Sequence, residues 1–277
     1  MIRYNTKQLK HLAMKSLSGK MNIFLTAYLI YFVINTGSSY LLSFITGIST
    51  LIDPETGTLL PSLSSTDLAI YVIASYIITL ILSVLDVGFN KMFLCASRET
   101  PFTWKMMFDG FKGQTDRILI AQLILSAISL VCMAPGYIVI FISNHMLAKQ
   151  NIPEIIEHVT EEMLVVFLLM ILGLLLMLIG LIPSYYFTVI FSQSMFLLAE
   201  HEDMGAIASL KESKRLMHKN KMRYFMLILS FLPLHLLCYM TCNIGTFFLY
   251  PFIGMTNAFF YRNIIGEIGE HESVLYT

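Results

Sequence analysis

The chain has 277 residues, of which 56% are hydrophobic and only 13% are charged, and its mean hydropathy is +0.72. Such values exclude an ordinary soluble domain and indicate a membrane protein. Lysine plus arginine equals aspartate plus glutamate at 18 each. The net charge therefore indicates nothing about partners, and the placement of the charges along the chain carries the information.

Six apolar segments are long enough to be considered as membrane spans, and a spanning helix needs about 20 apolar residues. The polar first 21 residues do not resemble a cleavable signal peptide, so we expect the first span to remain in the protein. Of the 36 charged side chains, only Asp86 lies inside an apolar segment, as the cost of a charge within a bilayer requires. The segments are 23–47, 68–90, 118–143, 163–199, 224–243 and a marginal one at 246–261.

The basic residues are distributed unevenly among the connections between these segments. Lysine and arginine number five before residue 22, none in 48–67, five in 91–117, one in 144–162, six in 200–223 and one after 261. Under the positive-inside rule, this alternation places both termini in the cytoplasm. We therefore expect an all-α protein of the bacterial cytoplasmic membrane with six transmembrane helices in three hairpins.

Segment 163–199 is too long for one simple crossing, because its 37 residues would form a helix of about 55 Å. Two crossings there would put the basic stretch 210–225 outside, against the positive-inside rule. A single crossing is preferred. It either overhangs the bilayer or breaks near Pro183, where the proline ring removes a helical hydrogen bond.

Two pairs of segments match one another without gaps. Residues 9–24 (LKHLAMKSLSGKMNIF) align with 210–225 (LKESKRLMHKNKMRYF), and 90–100 align with 193–203. We interpret the matches as three copies of one unit within a single membrane domain spanning 1–277, although short matches also arise by chance in a chain rich in Met, Phe and Leu. The proposed repeats are 5–98, 103–200 and 203–265.

Each proposed repeat begins with a cytoplasmic amphipathic segment, at about 5–20, 103–115 and 203–221. Such helices are expected at the membrane surface, with the apolar face in the bilayer and the bases near anionic lipid headgroups. The expected partner is the anionic lipid of the cytoplasmic leaflet, not nucleic acid. A membrane-protein partner is left open. The expected headgroup contacts are Lys10, Lys15, Lys20, Lys211, Lys214, Arg215, Lys219 and Lys221.

A polar intramembrane site is a candidate at the cytoplasmic ends of the returning helices. Asp86 is a candidate because intramembrane carboxylates are rare and often functional, although pairing with Lys91 or with a base of a neighbouring helix is an equal alternative. Asn90, Gln193 and Asn257 would be equivalent in the repeats, and such amides either join helices by hydrogen bonds or line a polar pocket.

No cofactor is expected. His235, Cys238 and Cys242 are spaced at i, i+3 and i+7, so one helical face would present three soft ligands, yet such residues more often serve core packing. Enzyme signatures are missing, because there is no Walker A loop and no GxSxG motif, and His201-Glu202 lacks the second histidine of HExxH. We therefore expect the protein not to be an enzyme.

The ordered motifs resemble the bacterial integral-membrane family catalogued as domain of unknown function 975. This chain departs from the usual family pattern at 232–235 (LPLH), where the family shows Gly-Trp, and at Ser209, where alanine is common. The resemblance implies a multi-pass bacterial membrane protein and imports no reaction. It is carried by Lys10, Ala13, Leu17, Gly19, FDGF at 108–111, Ser213, Leu216, Met217, LSF at 229–231, Ile244-Gly245, Pro251, Thr256 and AFFY at 258–261.

Two functions are compatible with these features. The first is a non-enzymatic role in envelope maintenance, including resistance to membrane-active peptides. The second is a transporter or lipid-handling module that works with a separate energising partner, since the chain has no nucleotide-binding loop of its own. A transporter predicts a polar cavity near the bilayer midplane, reached from Asp86 and the three amides.

Overall fold

The structure is a computed structural model that describes residues 4–46, 65–113, 115–147, 161–241 and 243–268. The described part of the chain is helical and contains no strand, which confirms the all-α class. In chain order the elements are α1 (Thr6–Leu17), α2 (Met21–Ile45), α3 (Ser65–Ser97), a 3-10 helix (Trp104–Phe111), α4 (Thr115–Leu147), α5 (Glu161–Phe191), α6 (Ser194–Glu200), α7 (Ala206–Met217), α8 (Lys221–Leu229), α9 (Leu232–Met240) and α10 (Thr246–Ile265).

Within these ranges, five stretches are long and apolar enough to cross a membrane. Their exteriors carry large apolar side chains in the open, such as Phe44 and Met240, each at least 80% exposed, as expected of surfaces that face lipid. The expected sixth span, 246–261, is not among the five. The five stretches are Met21–Ile45, Ile70–Ser97, Thr115–Ser143, Met163–Glu200 and Lys221–Met240.

The chain forms two compact units. The first unit comprises Met1–Thr50, Leu63–Gln122 and Val189–Thr277. Its core is built around α10, where almost every residue from Met255 to Ile264 is buried. Aromatic rings from α2, α3 and α10 pack together there, with Phe24 stacked on Phe93 at 4.8 Å between ring centroids.

The second unit comprises Leu51–Ser62 and Leu123–Thr188. In its described part, α4 and α5 approach closely at glycines. A Cβ atom at Gly180 would lie 2.5 Å from the Cys132 carbonyl oxygen, and one at Gly136 would lie 2.7 Å from the Met177 amide nitrogen. Small residues at such contacts are typical of helix pairs in membranes, where close backbone packing replaces the hydrophobic effect as the driving force.

The long segment 163–199 forms one helix that continues through Pro183 and ends at Phe191. A two-residue turn at 192–193 then interrupts the helix, and α6 starts at Ser194. Of the two alternatives that the sequence left open, a break near Pro183 is therefore not found. Neighbouring groups compensate for the hydrogen bond that proline removes in many membrane helices, whereas Ser213 from α7 stabilises the backbone at the turn. Its hydroxyl donates to Ile190 O at 2.9 Å and accepts from Gln193 N at 3.2 Å.

The amphipathic segments also differ from expectation. The apolar faces of α1 and α7 are buried in the protein, through Leu9 and Leu17 in α1 and Leu210 and Met217 in α7. The middle segment is the 3-10 helix, whose Met107 is fully buried. The sequence placed these apolar faces in the bilayer, whereas the first unit itself buries the residues named here.

The helix boundaries recur along the chain. α1 and α7 are both 12 residues long, each is followed by a three-residue turn, and the next helices start at Met21 and Lys221. The offset is therefore 200 residues, not the 201 of the sequence match. At this offset, buried positions coincide, as at Leu9 and Ser209 or Leu17 and Met217.

Candidate functional site

The ends of α3, α6 and α10 meet in a cluster of charged side chains. Arg98 directly follows α3, Glu200 is the last residue of α6, and Arg262 lies in the last turn of α10. Gly266 ends α10 in the left-handed conformation at φ 85°, which glycine adopts without strain. The chain thereby turns back, so that Glu267 N donates to Arg262 O at 2.9 Å.

The carboxylate of Glu267 accepts hydrogen bonds from both arginines. Arg98 approaches it with two nitrogens, at 2.8 Å from Nε and 2.7 Å from Nη2, and Arg262 Nε lies at 3.0 Å. Such bidentate pairs are among the strongest charged hydrogen bonds. Arg98 also donates to Glu200, which accepts a second hydrogen bond from the Tyr261 hydroxyl.

The electrostatics of the cluster follow from this pairing. Burial acts to raise the pKa of Glu267, but the hydrogen bond from Arg98 and the two neighbouring positive charges outweigh it and lower the pKa below its ordinary value. The hydrogen bond to Glu267, followed by that to Glu200, raises the pKa of Arg98. The pairing therefore favours the charged forms of Glu267 and Arg98.

A polar cavity of about 470 Å³ opens beside this cluster. It lies between α1, the turn after α1, and the ends of α3 and α10. Lys20 reaches across it and donates to Ala96 O at 3.0 Å, as does Ser16 at 3.2 Å. We call this space the basic cavity, and its charged and hydroxyl lining consists of Lys15, Ser16, Ser18, Lys20, Ser97, Arg98, Glu99, Arg262 and Glu267.

An apolar groove of about 670 Å³ adjoins the basic cavity, and Ser18 in the turn between α1 and α2 lines both. Its walls come from α1, α9 and α10. Several of the wall residues are open on the outside of the protein, including Met14, Leu237 and Phe248. The apolar groove is lined by Met14, Leu17, Ser18, Gly19, Met21, Leu234, Leu237, Cys238, Thr241, Gly245, Phe248, Leu249 and Phe252.

A third space of about 630 Å³ lies against α6, α7 and α10 and occupies the place of the basic cavity at the 200-residue offset. Glu212, Arg215 and Leu216 line it, where Leu12, Lys15 and Ser16 line the basic cavity. Arg215 is paired there with Glu212, at 2.8 Å from Nε to Oε2. We call this space the counterpart cavity.

The predicted intramembrane site is only partly assembled. Asp86 has Tyr31 and Tyr250 as electrostatic neighbours, but among the described residues its carboxylate accepts no hydrogen bond. Lys91, the predicted alternative partner, lies instead 3.2 Å from Glu202 and 3.9 Å from Asp109.

The three amides do not join helices through their side chains. Gln193 is fully buried, and its side-chain nitrogen donates to the neighbouring Ser192 at 2.9 Å, whereas its Oε1 has no partner in the described structure. Asn90 and Asn257 are half-buried and make no hydrogen bond among the described residues. Neither the amides nor Asp86 line the basic cavity, the apolar groove or the counterpart cavity.

The predicted headgroup bases fall into two groups. Lys15, Lys211, Lys214, Arg215 and Lys219 are exposed, and Lys20 and Lys221 are half-buried. Lys10 is directed into the protein, where Nζ lies 2.8 Å from Ser230 O and 4.0 Å from the centre of the Phe231 ring. Burial lowers its pKa. Pro233, at the second position of α9, marks the break between α8 and α9 in the sequence, but nothing in the sequence indicates that Lys10, 220 positions away, reaches the carbonyl there.

The described residues contain no cluster of three or more metal-binding side chains, and Cys242 lies outside them. His235 is exposed and Cys238 is buried. Of the three residues in the predicted soft-ligand face, the structure therefore describes only His235 and Cys238.

Sequence reasoning also missed Arg117, a buried cation in the first turn of α4. Its guanidinium lies across the end of α6 and donates to Leu198 O at 3.1 Å, to Met204 O at 3.2 Å and to His201 O. A cation is favoured at a helix C-terminus because the last carbonyls have no partners within the helix. A cavity of about 250 Å³ beside it is also lined by Lys91 and Asp109.

A family model described as "Protein of unknown function (DUF975)" matches residues 1–267. The chain belongs to this family. The match confirms the resemblance seen in the sequence. No curated protein and no solved structure matches the chain.

Several of the positions that carry the family resemblance lie at contacts or turns of the fold. Lys10 bonds to the LSF segment at 229–231, which is the break between α8 and α9. Gly110 of the FDGF motif packs against α3, because a Cβ there would lie 2.5 Å from Val84 O. Gly19 takes φ 78° in the turn that lines both the basic cavity and the apolar groove.

Proposed function

We propose that this protein is a non-enzymatic integral protein of the bacterial cytoplasmic membrane that maintains the envelope, including its resistance to membrane-active peptides. In this proposal six spans form three hairpins, with both termini in the cytoplasm. The protein acts at the cytoplasmic leaflet through anionic lipids. The absence of catalytic motifs in the sequence supports a non-enzymatic role.

One observation carries the proposal. The exposed bases Lys15, Lys211, Lys214 and Lys219 occur on or directly after the two short helices that lead into α2 and α8. These are the ends that the distribution of lysine and arginine assigns to the cytoplasm. Each exposed lysine near an anionic leaflet contributes about 1 kcal/mol of attraction, so together they form a lipid-directed surface.

The test is a deletion strain challenged with cationic membrane-active peptides. We expect a lower inhibitory peptide concentration for the deletion strain, restored by the wild-type gene. The triple variant Lys211→Gln, Lys214→Gln, Lys219→Gln should restore it only in part, because it removes exposed charge without touching the core. Unchanged sensitivity of the deletion strain to these peptides and to envelope stress would contradict the proposal.

A lipid-handling module is the second candidate, and the apolar groove beside the basic cavity favours it over a transporter of soluble molecules. Transport of a soluble molecule calls for a polar path near the midplane, whereas Asp86 and the amides line none of the four cavities of the described residues that are named above. A lipid-handling module would alter lipid distribution between leaflets. Deletion would then change the amount of phosphatidylglycerol accessible to an outer-leaflet probe.

A further inference from the structure

We propose that the basic cavity and the apolar groove form one binding site for a single anionic phospholipid, with its phosphodiester in the basic cavity and an acyl chain along the groove. The inference rests on the proposed placement of these helix ends at the cytoplasmic leaflet, and it does not depend on the envelope role. It specifies which residues select the lipid and which chemical group they recognise.

The charge of the basic cavity calls for an anion. Its lining contains four basic residues, Lys15, Lys20, Arg98 and Arg262, and two acidic ones, Glu99 and Glu267. Glu200 lies outside the lining but neutralises part of Arg98. Four positive charges against three negative ones leave an excess of one, which matches the single charge of a phosphodiester.

Lys20 is the residue best placed to meet that anion. Its ammonium group donates to a neutral backbone carbonyl, Ala96 O, and no carboxylate among the described residues lies within ion-pair distance. An ammonium group has three donors, so two remain for a phosphate oxygen. Ser16 and Ser18 add hydroxyl groups to the same wall.

The apolar groove favours a lipid over a soluble phosphate as the ligand. Its walls are almost entirely hydrocarbon, and it meets the basic cavity at Ser18. A soluble anion would fill only the polar half and leave the groove uncovered. An amphipathic molecule with an anionic end matches both halves, and each volume lies within the range of about 300–1,000 Å³ typical of small-molecule sites.

The counterpart cavity shows that the scaffold alone does not produce this charge. At the 200-residue offset Lys20 is replaced by Asn220 and Leu12 by Glu212, which pairs with Arg215. His201 follows α6 as Arg98 follows α3. The same arrangement of helices thus encloses an excess of bases at one place and a neutralised base at the other.

The experiment measures lipid retention by native mass spectrometry of the full-length protein released from micelles containing equal amounts of phosphatidylglycerol and phosphatidylcholine. The wild type should retain one phosphatidylglycerol at least tenfold more often than phosphatidylcholine, whose choline cation the lysines repel. The variant Lys15→Gln/Lys20→Gln should lose this preference by about tenfold. Leu237→Trp, which fills the groove, should lower retention of both lipids.

The control is Lys105→Gln/Lys112→Gln, which removes two exposed bases that line neither the basic cavity nor the apolar groove, and it should change retention less than twofold. Leu237 is 58% exposed, so its variant tests the site even where the lysine variant fails to fold. Equal retention by the wild type and the lysine variant would overturn the proposal. So would saturation of the site by inorganic phosphate or by glycerol 3-phosphate in place of lipid.

The outcomes separate this inference from the proposed function. Selective lipid retention by a protein whose deletion causes no peptide sensitivity would refute the envelope role and keep the site. Peptide sensitivity of the deletion strain with unselective retention would refute the site alone.

Discussion

Glu267 lies one residue past the left-handed Gly266, and this turn of the backbone lets one carboxylate accept from Arg98 and Arg262. When two guanidinium groups take the place of water around a partly buried carboxylate, they stabilise its charged form. The sequence contains the residues, but the partners are separated by 169 positions in one case. Sequence periodicity does not reveal contacts between residues so far apart in the chain, so this cluster was not predicted.

The first prediction concerns Glu267→Gln. At neutral pH the variant should be less stable by about 1–3 kcal/mol, because hydrogen bonds between charged groups become weaker neutral ones. The pKa of Glu267 is lower in the folded than in the unfolded protein, so its stabilising effect is present above the unfolded pKa and is lost as the pH falls through the folded one. Thermal unfolding in detergent from pH 7 to below pH 4.5 should show the wild type and variant converging. A constant gap across this range would contradict the assignment.

Lys10 illustrates the limit of sequence reasoning at the scale of a residue. Its position on an amphipathic helix predicted a lipid headgroup contact, and five of the other bases in that prediction are exposed. Lys10 instead donates to a carbonyl freed by a helix break 220 residues away. Helical periodicity predicts which side chains are exposed, but it does not predict a partner that is distant in the chain.

Breaks and close approaches of backbone decide how the elements fit together. Pro183 lies inside α5 without ending it, and the break at residues 192–193 occurs where Ser213 supplies side-chain hydrogen bonds. The sequence left open whether the segment overhangs the bilayer or breaks near Pro183, because membrane helices tolerate proline where neighbouring groups satisfy the freed backbone. The existence and rough position of the helices were predictable from hydropathy alone.

The second prediction tests Ser213. Ser213→Ala should destabilise the protein by about 1–3 kcal/mol, because it leaves the buried Gln193 amide without its acceptor. Ser209 is equally buried, but its hydroxyl donates only within its own helix, to Ala206 O at 2.7 Å. Ser209→Ala should therefore cost about 0.5 kcal/mol or less. Thermal unfolding midpoints in detergent give the comparison, and equal losses for the two variants would show that the break does not depend on Ser213.

The third prediction tests the contact between α3 and the 3-10 helix. A Cβ at Gly88 would lie 2.0 Å from Met107 O, so Gly88→Ala forces backbone movement and should cost about 1–3 kcal/mol. At Gly37 in α2, by contrast, a Cβ would meet no described atom of another residue within 4 Å, apart from its own helical turn. Gly37→Ala should be neutral or stabilising by about 0.5–1 kcal/mol, because alanine favours helix. A Gly88→Ala protein that unfolds at the wild-type temperature would contradict the close approach.

At the scale of the whole molecule, the sequence correctly predicted an all-α protein, and five of the expected spans are helices long and apolar enough to cross a membrane. The sixth, 246–261, was marginal because of its length and is not among the five. Almost all residues from Met255 to Ile264 of α10 are buried within the first unit. This part of the helix packs against protein, so its hydropathy, which measures suitability for lipid, does not decide whether it crosses a membrane.

The fourth prediction concerns this sixth crossing. A phosphatase reporter fused after residue 243, between α9 and α10, should be active on the outside of the membrane. A fluorescent reporter after residue 277 should instead fold in the cytoplasm, because α10 returns the chain. If both fusions report the same side, α10 does not cross and the six-span proposal is wrong.

Because the helix boundaries recur at an offset of 200 residues, the basic cavity indicates which substitutions would change the counterpart cavity. Glu212→Leu together with Asn220→Lys would place bases at both positions that correspond to Lys15 and Lys20, and Arg215, which lines the counterpart cavity, would lose its carboxylate. The altered protein should hold two anionic lipids instead of one, counted by mass. A variant that only destabilises the protein would not bind an additional lipid. A second bound lipid would therefore be stronger evidence for lipid recognition than a loss of binding.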